Sequence, residues 1–356
     1  MSEGWAAYTG GRHHGAHGDA ASRELGVEAG SFLDFSANIN PAGPPPGALE
    51  AARQAISTEA PRYPDPEYPE LREALAGYLG VPEGHVLPTN GGADALFLAA
   101  GAATGGKALV LEPTFSEYAA AAEAAGMEVV RRVAWRPGEG EFSFDRSVLG
   151  DLEGIGLVFL CNPNNPTGTA LSREEVLGIA ARVEEAGAVL VVDEAFADFV
   201  PEVGVPDAAG PGLVVARSFT KFFAVPGLRL GCLVSPETER FRARQPSWSV
   251  NVAAAAAGVA AVGDVEYVER SLERTARLRR ELFRELPSLP GVTPFTGAAN
   301  FLLLRVPPGT PERLARRGML VRGCGPFAGL GPEYIRVAVR ESGENRLLVE
   351  ALREAS

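Results

Sequence analysis

The chain has 356 residues, more than twice the ~150 residues of a typical domain, so we expect two domains built around a large core. Hydrophobic residues make up 46% of the chain and charged residues 22%, a composition that argues against a disordered protein. The formal net charge of −12 argues against nucleic acid or an anionic membrane as the main partner.

The sequence also indicates a cytoplasmic protein. Its three cysteines, Cys161, Cys232 and Cys324, are scattered and odd in number, as expected for buried thiols in a reducing compartment. The N-terminus lacks a basic region followed by an apolar stretch. We find no run of about 20 apolar residues that would span a bilayer.

Residues 1–36 are rich in Gly and His and are predicted to form an N-terminal arm, followed by a large domain over residues 37–245. After a Pro-rich turn we expect a helix over residues 48–56, and Leu71 and Leu75 lie at helical spacing in the next segment. Buried strands are then predicted to alternate with helices at about 93–103, 116–126 and 172–187; the strands are 108–112, 127–133, 157–160, 188–194 and 213–218. This alternation predicts an α/β fold with a mostly parallel, doubly wound sheet and helices on both faces.

The pattern changes after Gln245, and residues 246–356 are predicted to form a smaller α+β domain. A long helical segment is expected from about Val250 to Glu285. It is followed by predicted strands and helices at 300–306 (strand), 311–317 (helix), 319–323 (strand), 334–340 (strand) and the C-terminus (helix).

Ligands of doubly wound sheets bind beyond the carboxyl ends of the strands, so the residues that follow each strand are candidates for a site. Residues 87–94 place two glycines before a helix, where free amides and the helix dipole would hold a phosphate; an ordinary Gly-rich turn is the alternative. Phe115 follows a strand and offers an aromatic face to a planar ring, although most such aromatics belong to the core.

Two polar residues at later strand ends fit the same kind of ligand. Asn165 lies in a loop of four Asn and Pro residues, 162–165, and would donate to an anionic ring oxygen. Asp193 ends a strand, where a carboxylate is usually a surface cap or part of an ion pair. Next to a pyridine ring, however, Asp193 would keep the ring nitrogen protonated.

Lys221 lies among apolar residues, Phe219, Phe222, Phe223 and Val225. Apolar surroundings lower the pKa of a lysine and free its amine to attack an aldehyde. Arg229 follows eight residues later and offers a counter-charge to a phosphate. A lone lysine is usually a surface residue, but the order of these motifs along the chain argues against that interpretation.

Taken together, the segments NPTG (165–168), DEAF (193–196) and SFTK (218–221) resemble the pyridoxal-5′-phosphate (PLP) enzymes of fold type I, the class I and II aminotransferase group. The resemblance covers essentially the whole chain. It implies the aspartate-aminotransferase fold, PLP as cofactor and a small phosphorylated amino substrate.

The resemblance also implies a role for each candidate residue. Lys221 would bind the cofactor covalently and move protons at the substrate α-carbon. The implied cofactor ligands are Asp193 at the pyridine nitrogen, Asn165 at the ring hydroxyl, Phe115 on the ring face, and Gly92, Ala93, Ser218 and Arg229 at the phosphate. Tyr63 matches a position that reaches the phosphate of a neighbouring subunit, which implies a homodimer with shared active sites. The implied substrate ligands are Arg336, which grips the carboxylate, Arg322, Asn38 and His17.

Two branches of the group compete, threonine-phosphate decarboxylase of cobalamin biosynthesis and histidinol-phosphate aminotransferase. Segments 32–46, 62–68, 193–199, 220–231 and 335–340 look more like the decarboxylases, and Phe196 replaces a tyrosine that is common in the aminotransferases. We therefore expect PLP-dependent decarboxylation of L-threonine O-3-phosphate to (R)-1-amino-2-propanol phosphate. Amino transfer from histidinol phosphate, or a related amino acid, with 2-oxoglutarate is the alternative.

The histidines of the arm, His13, His14 and His17, leave several interpretations open. We favour an arm that closes over the active site, with a disordered terminus and a metal site as alternatives. No helix signal or acidic ligand set supports a metal, and we predict none. The decarboxylase branch has a His-Gly-Gly segment here, so it stays open which histidine corresponds.

Two other classes of protein fit less well. A PLP-binding regulator would need a DNA-binding segment, which the sequence lacks, and a silent paralogue is disfavoured by the intact Lys221. A nucleotide-binding Rossmann enzyme would need GxGxxG after its first strand, and neither Gly-rich segment has that spacing.

Overall fold

The structure is a computed structural model that describes residue 28, residues 32–103 and residues 106–355. Its strands are β1 (Leu33–Asp34), β2 (Val86–Thr89), β3 (Lys107–Glu112), β4 (Glu128–Val133), β5 (Trp135–Pro137), β6 (Phe142–Phe144), β7 (Ile155–Cys161), β8 (Val189–Asp193), β9 (Leu213–Ser218), β10 (Gly231–Val234), β11 (Thr293–Phe295), β12 (Phe301–Arg305), β13 (Met319–Leu320), β14 (Arg322–Gly323) and β15 (Tyr334–Ala338). Its α-helices are α1 (Pro46–Glu59), α2 (Pro69–Leu79), α3 (Gly92–Ala102), α4 (Glu117–Ala124), α5 (Arg173–Glu185), α6 (Thr238–Arg242), α7 (Val252–Val262), α8 (Val265–Glu285), α9 (Thr310–Ala315) and α10 (Ser342–Ala355).

A seven-stranded sheet with the order β2-β10-β9-β8-β7-β3-β4 forms the centre of the molecule. β10 is antiparallel to both of its neighbours, and the other six strands run parallel to one another. Successive strand residues such as Val191 and Val192 are buried in different cores on the two faces of the sheet. The predicted mostly parallel, doubly wound α/β sheet is therefore confirmed.

The helices cover both faces of this sheet. α3 and α4 contribute to the core on one face, and α1, α2, α5 and α7 contribute to the core on the other. The Ala-rich helix α7 packs against α1, and Ala48 and Ala52 of α1 share a core with Ala254 and Ala257 of α7.

A four-stranded antiparallel sheet with the order β11-β12-β15-β14 lies in the C-terminal part of the chain. Leu302 and Leu304 of β12 share a core with Leu278 and Leu282 of α8 and with α10. β1 pairs in parallel with β13 beside this sheet, and Phe35 belongs to the same core. The boundaries between the three predicted segments remain predictions.

Two predicted elements were wrong in detail. The long helix expected from Val250 to Glu285 is two helices, because Asp264 begins a new one by accepting a hydrogen bond from the Tyr267 amide at 2.9 Å. The strand expected over 319–323 is also two short strands, which pair with different partners: β13 with β1, and β14 with β15. The short strands β2 and β10 were not predicted.

All three cysteines are buried free thiols, as predicted. No helix in the described part of the chain is long and apolar enough to cross a membrane.

Candidate active site

The predicted motifs meet at the carboxyl edge of the seven-stranded sheet. Cys161 and Asp193, the last residues of β7 and β8, are register partners. Gly231, the first residue of the antiparallel β10, lies between Thr89 of β2 and Ser218 of β9. The loops that follow these strands therefore leave the sheet side by side, which explains how motifs far apart in sequence form one site.

Lys221 follows β9 by three residues and is partly buried at this edge. Its Nζ donates hydrogen bonds to Thr220 Oγ1 at 2.9 Å and to Ser218 Oγ at 3.3 Å. The pKa of the Lys221 amine is lowered to about 8, mainly by burial; Asp193 opposes this shift, and the charges of Arg229 and Arg336 contribute to it. The apolar surroundings predicted from the sequence thus bring Lys221 close to the neutral, nucleophilic form at physiological pH.

The N-terminus of α3 lies beside Ser218 and Arg229. Gly91 has φ +84°, and a Cβ there would lie 2.7 Å from Arg229 Nη2. A Cβ on Gly92 would lie 3.0 Å from Ser218 Cβ. The amides of Gly92 and Ala93 open the helix and have no acceptor within it, so they are available to an anion.

We call the start of α3, together with Ser218 and Arg229, the phosphate cradle, and Gly231 forms its floor. A Cβ on Gly231 would lie 2.6 Å from the Arg217 carbonyl oxygen and 2.6 Å from the Gly91 carbonyl carbon. The same Cβ would lie 2.7 Å from the Gly92 nitrogen. Only glycine fits where three backbone segments approach this closely. Helix amides, a hydroxyl and a guanidinium around a pocket of this kind fit a phosphate group.

Asp193 is 6% exposed and accepts two hydrogen bonds. Its Oδ1 accepts from the Ala195 amide at 2.9 Å, and its Oδ2 accepts from the Tyr118 hydroxyl at 2.7 Å. Burial raises the pKa of Asp193, while these two bonds and the charges of Lys221 and Arg217 lower it. Asp193 is therefore a buried acceptor held in one orientation, and neither of the usual surface roles of a strand-end carboxylate applies.

The Asn-rich loop after β7 is held together by its own amides. Asn162 donates to the Leu171 carbonyl at 3.1 Å and accepts from the Leu171 amide at 2.8 Å. Asn164 donates to the Pro113 carbonyl at 3.0 Å. Asn165 is left to face the site, where its Oδ1 accepts a hydrogen bond from Arg336 Nη1.

Arg336 and Arg322 are register partners on adjacent antiparallel strands, so their side chains leave the same face of the small sheet. Arg336 is 6% exposed, and its Nη2 donates to the Ser36 carbonyl at 2.6 Å. Burial lowers the pKa of Arg336 to about 10, and it also lowers the pKa of Arg322. Two arginine side chains thus leave the same face of the small sheet, and one of them, Arg336, contacts Asn165.

Part of this polar surface has no partner in the described part of the chain. Arg336 Nε and both side-chain polar atoms of Asn38 are buried and make no hydrogen bond to described residues. Asn38 lies between Ser36, which binds Arg336, and Asn40, whose amide donates to the Lys221 carbonyl at 3.0 Å. Unpaired buried donors and acceptors next to the predicted site are what a polar substrate would satisfy.

The aromatic residues of the site are packed against one another. Phe115 contacts Tyr118 edge to face, with ring centroids 5.8 Å apart. Phe196 is buried and meets Phe301 edge to face at 5.0 Å, and the Arg336 guanidinium lies over the same Phe301 ring at 5.4 Å. The apolar Phe196 fits this packing without a hydroxyl.

Two predicted site residues are not placed among the others. Tyr63 lies on the surface, where its side chain is 78% exposed and stacks on Trp248 with ring centroids 4.4 Å apart. His17 lies outside the described residues.

Sequence reasoning missed three residues of the site, Thr220, Gly231 and Tyr118. Thr220 and Gly231 stand inside or next to the motif that contains Lys221, but neither position has a signal of its own. Tyr118 lies three residues after Phe115 at the start of a helix, a spacing that puts both rings on one side. That spacing is the sequence signal that could have identified Tyr118 as a site residue.

A family model for class I and II aminotransferases matches residues 31–352. A threonine-phosphate decarboxylase of Salmonella typhimurium is 36% identical over 96% of this chain and 95% of the relative. A histidinol-phosphate aminotransferase of Methanococcoides burtonii is 31% identical over 92% of this chain and 91% of the relative. The structure of Thermus thermophilus aspartate aminotransferase, solved with maleate, matches with a TM-score of 0.82 and 26% identity, over 95% of each chain. The predicted aspartate-aminotransferase-like fold is therefore confirmed.

Proposed function

The chain belongs to the class I and II aminotransferase family, whose cofactor is PLP, and we propose that it decarboxylates L-threonine O-3-phosphate to (R)-1-amino-2-propanol phosphate. The observation that carries the proposal is the pair Arg322 and Arg336 on one face of the small sheet, with Arg336 bonded to Asn165. They suit a substrate that bears both a carboxylate and a phosphate. The similarity to a threonine-phosphate decarboxylase supports the same reaction.

The donors and acceptors at the sheet edge fit PLP. The start of α3, with Ser218 and Arg229, offers the cradle for its phosphate, and Asp193 offers a carboxylate to its pyridine nitrogen. Asn165 offers an amide to the ring hydroxyl, and Lys221 offers an amine to the aldehyde. When bound, PLP supplies a protonated ring that withdraws the electron pair left at the α-carbon of an amino substrate.

Lys221 carries the proton transfer in this proposal. Its pKa of about 8 lets the amine both hold and release a proton near neutral pH. After the bond between the α-carbon and the carboxylate carbon breaks and CO₂ leaves, Lys221 donates its proton to the α-carbon. Thr220 and Ser218 accept hydrogen bonds from Lys221 Nζ and hold it in position for that transfer.

The arginine pair orients the substrate. Arg336 Nη1 and Nη2 donate to Asn165 and to the Ser36 carbonyl, whereas its Nε and the side-chain amide of Asn38 have no partner among the described residues and are available to a carboxylate. A substrate carboxylate bound by Arg336 and Asn38 would be held in one orientation, which would position its bond to the α-carbon for cleavage. Arg322 then lies on the same face for the substrate's second acidic group.

We also propose that the active enzyme is a homodimer in which Tyr63 of one subunit completes the phosphate site of the other. Its support is that Tyr63 and Trp248 form an exposed aromatic pair, 78% and 45% exposed respectively. Aromatic side chains of this kind are enriched at the centres of protein interfaces.

A second reaction, amino transfer from histidinol phosphate, is favoured by the full-length similarity to a histidinol-phosphate aminotransferase. A single assay separates the two reactions. Purified protein with PLP and L-threonine O-phosphate, and no 2-oxo acid, is expected to release CO₂ at a steady rate. Absence of CO₂, with histidinol phosphate converted once 2-oxoglutarate is added, would establish the aminotransferase instead.

A further inference from the structure

The phenol of Tyr118 is the second hydrogen-bond donor to Asp193. Tyr118 is 0% exposed, and its hydroxyl donates to Asp193 Oδ2 at 2.7 Å, while Oδ1 is held by the Ala195 amide. We propose that Tyr118 is a positioning residue that orients Asp193 and keeps it ionised toward the pyridine nitrogen of the cofactor. This inference rests on the proposed function, in which Asp193 is the partner of that nitrogen.

The packing of Tyr118 fixes the direction of this hydrogen bond. Its ring is stacked on Phe159 of β7, with centroids 5.3 Å apart and planes 9° apart. The ring of Phe115 meets it edge to face at 5.8 Å. Because the ring is packed against aromatic neighbours on two sides, the hydroxyl oxygen is fixed in place and only its proton can rotate. Because a buried phenol needs a partner, Asp193 and Tyr118 hold each other in place.

The charge balance at Asp193 depends on this donor. The groups that act on the carboxylate are Tyr118 from α4, Cys161 at the end of β7, and Lys221 and Arg217 from the β9 segment. Burial raises the pKa of Asp193 and the Tyr118 bond opposes it. Burial and the nearby carboxylate also raise the pKa of Tyr118 well above its ordinary value, so the phenol stays protonated and donates at every physiological pH.

A purely structural role for Tyr118 is the competing explanation, and Tyr78 provides a matched control. Tyr78 also donates its hydroxyl to a buried carboxylate, Asp198 Oδ1 at 2.9 Å, but its ring packs in the opposite core against Phe219 and Phe223. Y118F and Y78F each remove one hydroxyl from a carboxylate partner. Loss of stability alone would affect both variants, whereas a role toward the cofactor ring would affect only Y118F.

The experiment measures the dissociation constants of two ligands for the apoprotein, PLP and its carbocyclic analogue in which CH replaces the ring nitrogen. Wild type is expected to bind PLP more tightly than the analogue. In Y118F the affinity for PLP is expected to fall about 10-fold or more, the effect of losing one hydrogen bond to a charged group, and the affinity for the analogue to change little. Y78F is expected to keep the wild-type preference.

The outcomes separate this inference from the function on which it rests. A wild type that binds both ligands equally would overturn the role of Asp193 itself, and the inference with it. A wild type that prefers PLP, together with a Y118F variant of unchanged preference, would overturn the inference about Tyr118 alone.

The pH dependence gives a second test. Removing a donor raises the pKa of Asp193, so PLP affinity in Y118F is expected to weaken at a higher pH than in wild type as the pH is lowered. If Y118F does not fold, 3-fluorotyrosine at position 118 keeps the shape and makes the phenol a stronger donor. The weakening should then move to lower pH, and an unmoved profile would contradict the proposal.

Discussion

Arg336 of β15 donates a hydrogen bond to the side-chain oxygen of Asn165, which lies in the loop after β7. The bond joins the seven-stranded sheet to the four-stranded sheet at the site and links a proposed substrate ligand to a proposed cofactor ligand. Because Arg336 also binds the Ser36 carbonyl at 2.6 Å, one guanidinium fixes three segments that surround Lys221.

Replacing this guanidinium is expected to impair substrate binding more than cofactor binding. We predict that Arg336→Ala lowers kcat/KM for L-threonine O-phosphate at least 10-fold, since a hydrogen bond to a charged group contributes about 1.5–3 kcal/mol. The dissociation constant of PLP should change much less. Arg305→Ala, at an exposed position on the neighbouring strand β12, is the control and should leave kcat/KM unchanged. Equal losses in the two variants would remove Arg336 from the substrate site.

The chain has only two lysines, Lys107 and Lys221, which makes covalent trapping of the cofactor decisive. Borohydride reduction after incubation with PLP, followed by peptide mass spectrometry, is expected to mark Lys221. Lys107 is half-buried at the start of β3 and paired with Glu128 at 3.3 Å, and it should stay unmodified. Label on Lys107 and none on Lys221 would refute the assignment.

The rate of this attachment should depend on pH with a midpoint of about 8, the pKa of Lys221. The neutral amine is the nucleophile, so the rate rises as the pH increases through that pKa. In Arg336→Ala one of the cations that lower this pKa is lost, so the midpoint is expected to move to higher pH. Stopped-flow absorbance of the bound cofactor measures it; a midpoint near that of an ordinary lysine in wild type would contradict the account.

The floor of the phosphate cradle gives a steric prediction. Gly231→Ala places a Cβ 2.6 Å from backbone atoms of Arg217 and Gly91, and the turn before α3 must shift to relieve the clash. Overpacking of this kind costs about 1–3 kcal/mol, so we expect PLP affinity to fall about 5-fold or more. Gly227→Ala is the matched control, since a Cβ there meets nothing within 4 Å. Equilibrium dialysis of PLP should therefore separate the two alanine variants.

Shared active sites predict complementation between two inactive or weakened variants. A mixture of Lys221→Ala and Tyr63→Phe subunits forms heterodimers in which one site has both Lys221 and Tyr63 intact. After mild unfolding and refolding together, activity should exceed the sum of the separate proteins. Activity equal to that sum, or a monomer in sedimentation that retains full activity, would exclude a shared site.

The sequence was sufficient to predict the sheet and the order of the motifs along it. Runs such as residues 188–192 are apolar and rich in β-branched residues because their strands are buried on both faces, and this leaves a clear signal. Asp193 was found because it lies at the end of such a run, and Asn165 and Lys221 because each follows one within a few residues. The break between α7 and α8 was missed because helical residues continue on both sides of Asp264, and only its hydrogen bond to the Tyr267 amide reveals it.

Contacts between segments that are far apart in the chain could not be predicted from the sequence. Tyr118 and Asp193 are 75 residues apart, and nothing in the sequence around either one indicates the other. Their hydrogen bond depends on how α4 packs on β7 and β8. The same holds for position 231. Glycine is required there because the backbone of Arg217 and Gly91 approaches closely, and the local sequence does not show this.

The most direct test of the proposed decarboxylation uses L-threonine O-phosphate labelled with ¹³C in its carboxylate, incubated with the PLP-loaded enzyme in D₂O without a 2-oxo acid. We expect the label to appear as ¹³CO₂ and bicarbonate, and the product to carry one deuterium on the carbon that had borne the carboxylate, delivered by Lys221. Label that stays in the organic acid, with a 2-oxo acid product formed only after an amino acceptor is added, would contradict decarboxylation.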